Sequence, residues 1–258
     1  MTAAEAAPAQ RWEEAVARGR FDEAERLYII QEEGDPDVRQ ALAGLADLLS
    51  AMREKAWARV RKRLERLEEL PELLDQEALR AEVELLEGFS RRLDRTDPDE
   101  LLGELEAARV HWFRAEMANQ VGTVHIYAGR FEAARNGFEE ALEHDPRHYR
   151  ALTNLGNALL EEGEVDEAID CYQRALALNE EFANAHHNLG VAYRRKGEVG
   201  KSVRHLRRAQ RVQQRTEREQ AREQVGRSGQ AGMKALRWVL WGVTALVIFM
   251  ILRNQGLI

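Results

Sequence analysis

The sequence predicts an all-α fold: a stack of helix pairs, an irregular helical part before it, and a membrane-spanning helix near the C-terminus. Three observations carry this prediction. A pattern of small and large residues recurs every 34 positions over 115–216. The five prolines (Pro8, Pro36, Pro71, Pro98 and Pro146) stand far apart and leave long windows without a helix breaker. An uncharged run, 238–252, is bracketed by Arg237 and Arg253.

From the N-terminus, 1–36 is expected to form a helix pair. GRFDEAERLYIIQEEGDP, from Gly19 to Pro36, repeats the order of GRFEAARNGFEEALEHDP, from Gly129 to Pro146; Ala24, Tyr28 and Pro36 match Ala134, Phe138 and Pro146. Residues 37–114 keep helical periodicity without that signature. Leu42, Leu45, Leu49 and Met52 form one stripe, and Val60, Leu64 and Leu67 continue it to a stop at Pro71. Asp97-Pro98-Asp99-Glu100 reads as a helix start, with Asp97 capping, Pro98 first in the helix and acids in the first turn. Trp112 and Phe113 are expected to be core.

Three units follow: 115–148, 149–182 and 183–216. Val121-Gly122, Leu155-Gly156 and Leu189-Gly190 align, as do Gly129, Gly163 and Gly197. So do Ala134, Ala168 and Ser202; Phe138, Tyr172 and Leu206; and Ala141, Ala175 and Ala209. Each unit is a helix, a glycine turn, a second helix and another turn. The small residues let paired helices approach, and the aromatic or leucine fills space toward the next unit. At these residues the chain resembles tetratricopeptide repeats, and EVDEAIDCYQRALALNEEFANAHHNLGVAYRRKGE keeps the family pattern throughout.

The resemblance implies an α-solenoid whose first helices line a concave groove for a peptide or protein partner. The groove-side candidates are Asn119 and Thr123, then Arg150, Asn154 and Asn157, then Asn184, His187, Asn188 and Arg194. Asparagine offers both a donor and an acceptor to a peptide backbone, and the arginines suit an acidic partner. The competing reading of Asn154 and Asn188 is capping or solvation of their own helices. Co-chaperones of this family clamp a C-terminal carboxylate with two asparagines and basic residues. Asn157 and Asn188 could supply the asparagines, but Thr153 and Asn184 stand where basic groups are wanted.

The formal charge of −7 hides a division. From Arg194 to Arg237 there are 14 Lys and Arg against 4 Glu, and Arg253 adds one more, so the residues before Arg194 total −18. A basic helix over 201–222 is expected to cap the repeats, with its apolar Val203, Leu206, Ala209 and Val212 turned onto them. Residues 217–225 close that helix, and 226–234 read as a flexible linker. A transmembrane helix is expected over 235–254, with Lys234, Arg237, Trp238, Trp241 and Arg253 at the membrane interface. The uncharged run spans roughly 25 Å with its flanks, so snorkelling arginines complete the crossing of a ~30 Å core. A buried core helix is the competing reading.

Basic residues on the N-terminal side of the span place the body in the cytoplasm. The 33 arginines against 5 lysines suggest a GC-rich genome, and hence a bacterial inner membrane. Anionic head groups are the expected lipid partners of 201–222 and 234–253. Without an aromatic stacking platform, the basic stretch fits lipid better than nucleic acid.

No catalytic, cofactor or metal motif appears, so the chain is not read as an enzyme. His144 and His148 are separated by Asp145-Pro146, and the single cysteine, Cys171, excludes an intramolecular disulfide. The expected function is a membrane-anchored protein-binding scaffold. The alternative is an accessory or assembly subunit of a membrane complex whose apolar helix packs on partner helices, with Gly242 and Ala245 as a small patch.

Overall fold

The computed structural model describes residues 11–31, 35–66, 75–93, 95–108, 110–219 and 221–222. Among these, all regular structure is α-helical. The chain divides into two units, one ending at Leu206 and one beginning at Arg207.

The first unit opens with α1 (Trp12–Ala17), α2 (Phe21–Ile30), α3 (Pro36–Arg53), α4 (Trp57–Arg66), α5 (Gln76–Arg92) and α6 (Pro98–Ala107). The start of α6 is as expected: the Asp97 carboxylate accepts from the backbone N–H groups of Asp99 (2.9 Å) and Glu100 (3.3 Å), with Pro98 in the first turn. Asp35 does the same for α3, accepting from Asp37 and Val38 ahead of the Pro36 helix. The Tyr28 hydroxyl donates to the Asp35 carbonyl and accepts from its N–H, both at 3.0 Å, which fixes the α2–α3 turn. Phe21, Tyr28, Leu42, Leu45, Leu48, Met52, Leu79 and Phe113 share one core. Phe113 is thus core as expected, meeting Phe21 edge-on at 6.2 Å. Leu67 and Pro71 lie outside the described residues.

Three helix pairs follow: α7 (Arg114–Tyr127) with α8 (Phe131–His144), α9 (Tyr149–Glu162) with α10 (Val165–Leu178), and α11 (Ala183–Arg195) with α12 over 199–219. Within each pair the glycine of the first helix lies against the large residue of the second. A β-carbon on Gly122 would stand 2.6 Å from the Phe138 ring, and one on Gly156 would stand 2.6 Å from the Tyr172 ring. On Gly190 it would stand 2.8 Å from Leu206. The large residue therefore first fills the interface inside its own unit. Phe138, Leu155, Leu159, Tyr172, Leu189 and Tyr193 then join in one continuous core.

One turn geometry recurs. Gly19, Gly129, Gly163 and Gly197 have φ of +71°, +70°, +90° and +86°. At each, the next residue donates its N–H to a carbonyl five residues back: Arg20 to Ala15, Arg130 to His125, Glu164 to Leu159 and Glu198 to Tyr193. This left-handed helix ending is the one glycine adopts without steric cost. Its presence at Gly19 shows that α1 and α2 copy the repeat turn. Where the repeats have Gly122, however, the N-terminal copy has Trp12, and its ring meets Tyr28 edge-on at 5.4 Å.

In α12, the expected apolar stripe is corrected at its first position. Val203 is exposed (40%), whereas Ser202 is buried (3%). Positions three apart drift by 60° per step around a helix, so a strict spacing of three cannot stay on one face. The linker, the apolar run and Lys234, Arg237, Trp238, Trp241 and Arg253 lie outside the described residues. No helix among the described residues is long and apolar enough to cross a membrane.

Candidate functional site

A cavity of about 280 Å³ opens on the first helices α7, α9 and α11. It is lined by Asn119, Thr123, Arg150, Asn154, Asn157, Asn184, His187 and Asn188, eight of the nine groove candidates. These residues meet because repeat-equivalent positions share a helix face. With a period of 34, Thr123 aligns with Asn157, and Asn154 aligns with Asn188. Arg194 is not part of the lining and is exposed in the last turn of α11. Six residues beyond Asn188 carry it roughly 9 Å along the helix axis. Arg195 is also engaged elsewhere, donating to the Leu160 carbonyl (2.5 Å) and to Glu161 (2.9 Å).

The asparagines form a ladder between units. The Asn154 amide donates to the Asn119 side-chain oxygen at 3.0 Å, and the Asn188 amide donates to that of Asn157 at 2.7 Å. Asn157 also accepts from the Tyr172 hydroxyl at 2.8 Å. Asn154 and Asn188 thus tie neighbouring first helices together rather than capping their own. Each rung uses one end of each amide; an amide has two donors and an acceptor, so capacity remains for a ligand backbone.

Thr153, which the sequence placed where a basic groove residue would be wanted, also lines the cavity, together with two residues that escaped sequence reasoning, Phe182 and Lys55. Thr153 donates to the Tyr149 carbonyl at 2.9 Å. Phe182 carries the Arg150 guanidinium over its ring, 5.6 Å from the centroid. Lys55 comes from outside the three repeats, at the α3–α4 corner. Arg53, two residues earlier, is held by Asp145 (2.8 Å) and Asp22 (2.9 Å), and the Tyr149 hydroxyl donates to its carbonyl at 3.4 Å. These bonds fasten the corner to the first repeats.

The groove's charge is uneven. Burial pushes the Lys55 ammonium below its ordinary pKa; Glu116 opposes that shift and Arg150 adds to it. Arg150 Nη1 is buried without a hydrogen-bond partner. Glu116 is buried, which works against its ionisation, yet the His148 hydrogen bond and nearby cations hold its pKa below the usual range. His148 Nδ1 accepts from the Ala151 N–H at 3.1 Å, so the proton on Nε2 faces Glu116 at 3.1 Å. Gln120 donates to the same carboxylate at 3.2 Å.

Other reactive groups are structural. Burial pushes the Cys171 thiol up to about 11, far from the thiolate a nucleophile needs. His186 donates from Nε2 to the Glu180 carbonyl at 2.9 Å and meets His205, Nδ1 to Nδ1, at 3.2 Å. A second cavity, of about 270 Å³, lies among α2, α3 and the ends of α7 and α8, and its Asp22 and Asp145 are already paired with Arg53.

Family models described as tetratricopeptide repeats match residues 125–176 and 185–219, and one described as a TPR repeat matches 156–197. Residues 125–219 carry tetratricopeptide repeats. The chain is similar to the BBSome complex member BBS4 of Bos taurus, 31% identical over 101 residues, covering 39% of this chain and 19% of that protein. Tetratricopeptide repeat protein 13 of Homo sapiens is 25% identical over 183 residues, covering 69% of this chain and 20% of that one. The chain thus spans about a fifth of the length of these curated relatives. The crystal structure of MamA aligns with 81% of this chain and 98% of its own, at 17% identity and a TM-score of 0.44.

Proposed function

We propose that this chain is a membrane-anchored scaffold that binds a peptide or protein partner in the TPR groove on the cytoplasmic side. The asparagine ladder carries this reading, because it lines an open groove with amides that have spare hydrogen-bonding capacity. The anchor is inferred from the uncharged run 238–252, its flanking arginines and Trp238 and Trp241. Anchoring raises the partner's local concentration at the bilayer, a mechanism that requires no chemistry.

Chemical cross-linking of the full chain, followed by identification of the linked peptides, tests the groove. Linked peptides should map to α7, α9 and α11 and disappear in Asn154→Ala/Asn188→Ala. A melting curve on the double variant separates loss of binding from loss of the ladder. Unchanged cross-links in a folded double variant exclude the groove, and cross-linking that never involves another protein excludes the scaffold. For the anchor, the chain should resist alkaline carbonate extraction from membranes, and deleting 238–252 should release it.

A further inference from the structure

The second cavity, of about 270 Å³, forms where the α1–α2 corner meets the segment leading into α7, and it shares no lining residue with the groove. Leu49, Met52 and Phe113 are buried and form its inner wall, while Arg18, Arg26, Arg114 and Arg147 are exposed and form its rim. The walls are fixed before any ligand arrives. Gly19 packs so closely on the Trp112 carbonyl that a β-carbon has no room there. Glu82 accepts from the N–H groups of His111, Trp112 and Phe113, and Arg53 ties Asp22 of α2 to Asp145 at the end of α8. A preformed concavity with an apolar interior and a few convergent polar groups is the usual form of a small-molecule site.

Its charge is unbalanced. Six arginines and four carboxylates line it, and the carboxylates are already engaged. Asp22 and Asp145 hold Arg53, Glu116 accepts from Gln120 and faces His148, and Glu23 lies 3.5 Å from Arg20. Arg147 comes no nearer than 3.9 Å to Asp22, and Arg26 donates its Nε–H to the Asp22 carbonyl. Neither Arg18 nor Arg114 has a carboxylate within ion-pair distance among the described residues. These two flank the Gly19–Trp112 contact, one residue before it and two after it, so the chain brings two unpaired guanidinium groups to the same side of the rim.

We propose that this cavity is a second binding site, independent of the groove, for a small aromatic phosphate: the ring system sits against Leu49, Met52 and Phe113, and the phosphate is held at the rim by Arg18 and Arg114. The apolar wall gains from covering a ring, and a guanidinium fork matches two phosphate oxygens at once. Phosphate suits the rim better than carboxylate because it offers three oxygens to two forks. At about 270 Å³ the cavity lies at the small end of ligand pockets, which run from roughly 300 Å³ upward, so it holds a one- or two-ring body and excludes a long acyl chain.

The test is calorimetric titration of the full chain in non-ionic detergent with 1-naphthyl phosphate, set beside 1-naphthol and inorganic phosphate. The phosphate ester should fill one site and bind at least about ten-fold more tightly than either of its parts. Arg18→Gln/Arg114→Gln should weaken it by about ten-fold or more, and raising the salt should weaken it further. Both arginines are exposed and unpaired, so a melting curve on the double variant should match that of the parent chain. Asn154→Ala/Asn188→Ala should leave the affinity unchanged, and amide exchange should slow at 49–53 and 111–115 on binding. Absence of saturable binding, equal binding by the arginine variant, or inorganic phosphate binding as tightly as the ester overturns the site. Loss of binding in the asparagine variant instead puts the probe in the groove, which also overturns it and leaves the groove reading standing.

Discussion

Tyr172 stands where a β-carbon on Gly156 would have to be, with its Cε1 only 2.6 Å from that position. Gly156→Ala should therefore cost about 1–3 kcal/mol, the usual price of overpacking a close-packed interface. Gly88, in the middle of α5, has nothing within 4 Å of the same constructed atom. Gly88→Ala should stabilise by about 0.5–1 kcal/mol through helix propensity alone. Urea unfolding of the two variants should move in opposite directions; a matching sign would show that the helix pair can spread apart.

Glu82 supplies the cap that α7 lacks. Its carboxylate accepts from the N–H of His111 at 2.5 Å, of Trp112 at 3.0 Å and of Phe113 at 3.3 Å, while α7 has no side-chain cap of its own. Glu82→Ala should cost about 3 kcal/mol by stranding these donors at a helix N-terminus. Amide exchange at 111–113 should accelerate well ahead of exchange in α9, and equal acceleration throughout would contradict a local cap.

Arg53 joins α2 to the end of α8 through Asp22 and Asp145, with all three side chains mostly buried. Arg53→Met should lose about 3 kcal/mol, because Asp145 and Asp22 both lose the buried guanidinium and Asp22 keeps only the half-exposed Arg147 at 3.9 Å. Adding Asp22→Asn to that variant should recover part of the loss, as a double-mutant cycle would measure. No recovery would mean that the arginine acts through packing.

Stability should fall on mild acidification. The His205 pKa is depressed by burial, then by His186 and by Arg204; Tyr193 stacks on its ring and Lys201 lies over Tyr193. The unfolded chain therefore takes up this proton near the ordinary imidazole value of about 6.5, and the folded chain does so only at lower pH. The stability is present above that unfolded value and is lost as pH falls through the folded one. His205→Gln should flatten the melting-temperature profile across this range. Some slope should remain from His125, whose pKa is depressed by burial and by Arg130. An unchanged profile would place the acid sensitivity elsewhere.

The repeats were legible because their packing is local and periodic. Gly122 with Phe138, Gly156 with Tyr172 and the turn glycines are set by neighbours within one unit, so the same letters return every 34 residues. The Asp97 cap was equally readable, since a cap needs only the next few residues. The groove asparagines could be gathered because equivalent positions face one way. Lys55 could not be placed from sequence: it reaches Asn119 and Arg150 across a segment without the repeat signature, and the bonds that hold its corner, from Arg53 to Asp145 and Tyr149, cross more than 90 residues. Arg194 was misplaced for the converse reason. Helical phase gives a residue's direction, whereas the extent of a groove along the helix is decided by the helices around it.

The turn that recurs at 19, 55, 129, 163 and 197 has a design consequence. At Gly129, Gly163 and Gly197 nothing lies within 4 Å of where a side chain would begin, so backbone torsion, rather than crowding, is the obstacle to placing one there. Each such corner is a two-position selector: glycine leaves it relaxed and chemically blank, and any other residue leaves it tense and labelled. At 55, where φ is +53° and Ala56 donates to the Ala51 carbonyl, the selector is set to lysine, so this corner, unlike the glycine corners, adds a side chain to the lining of the groove.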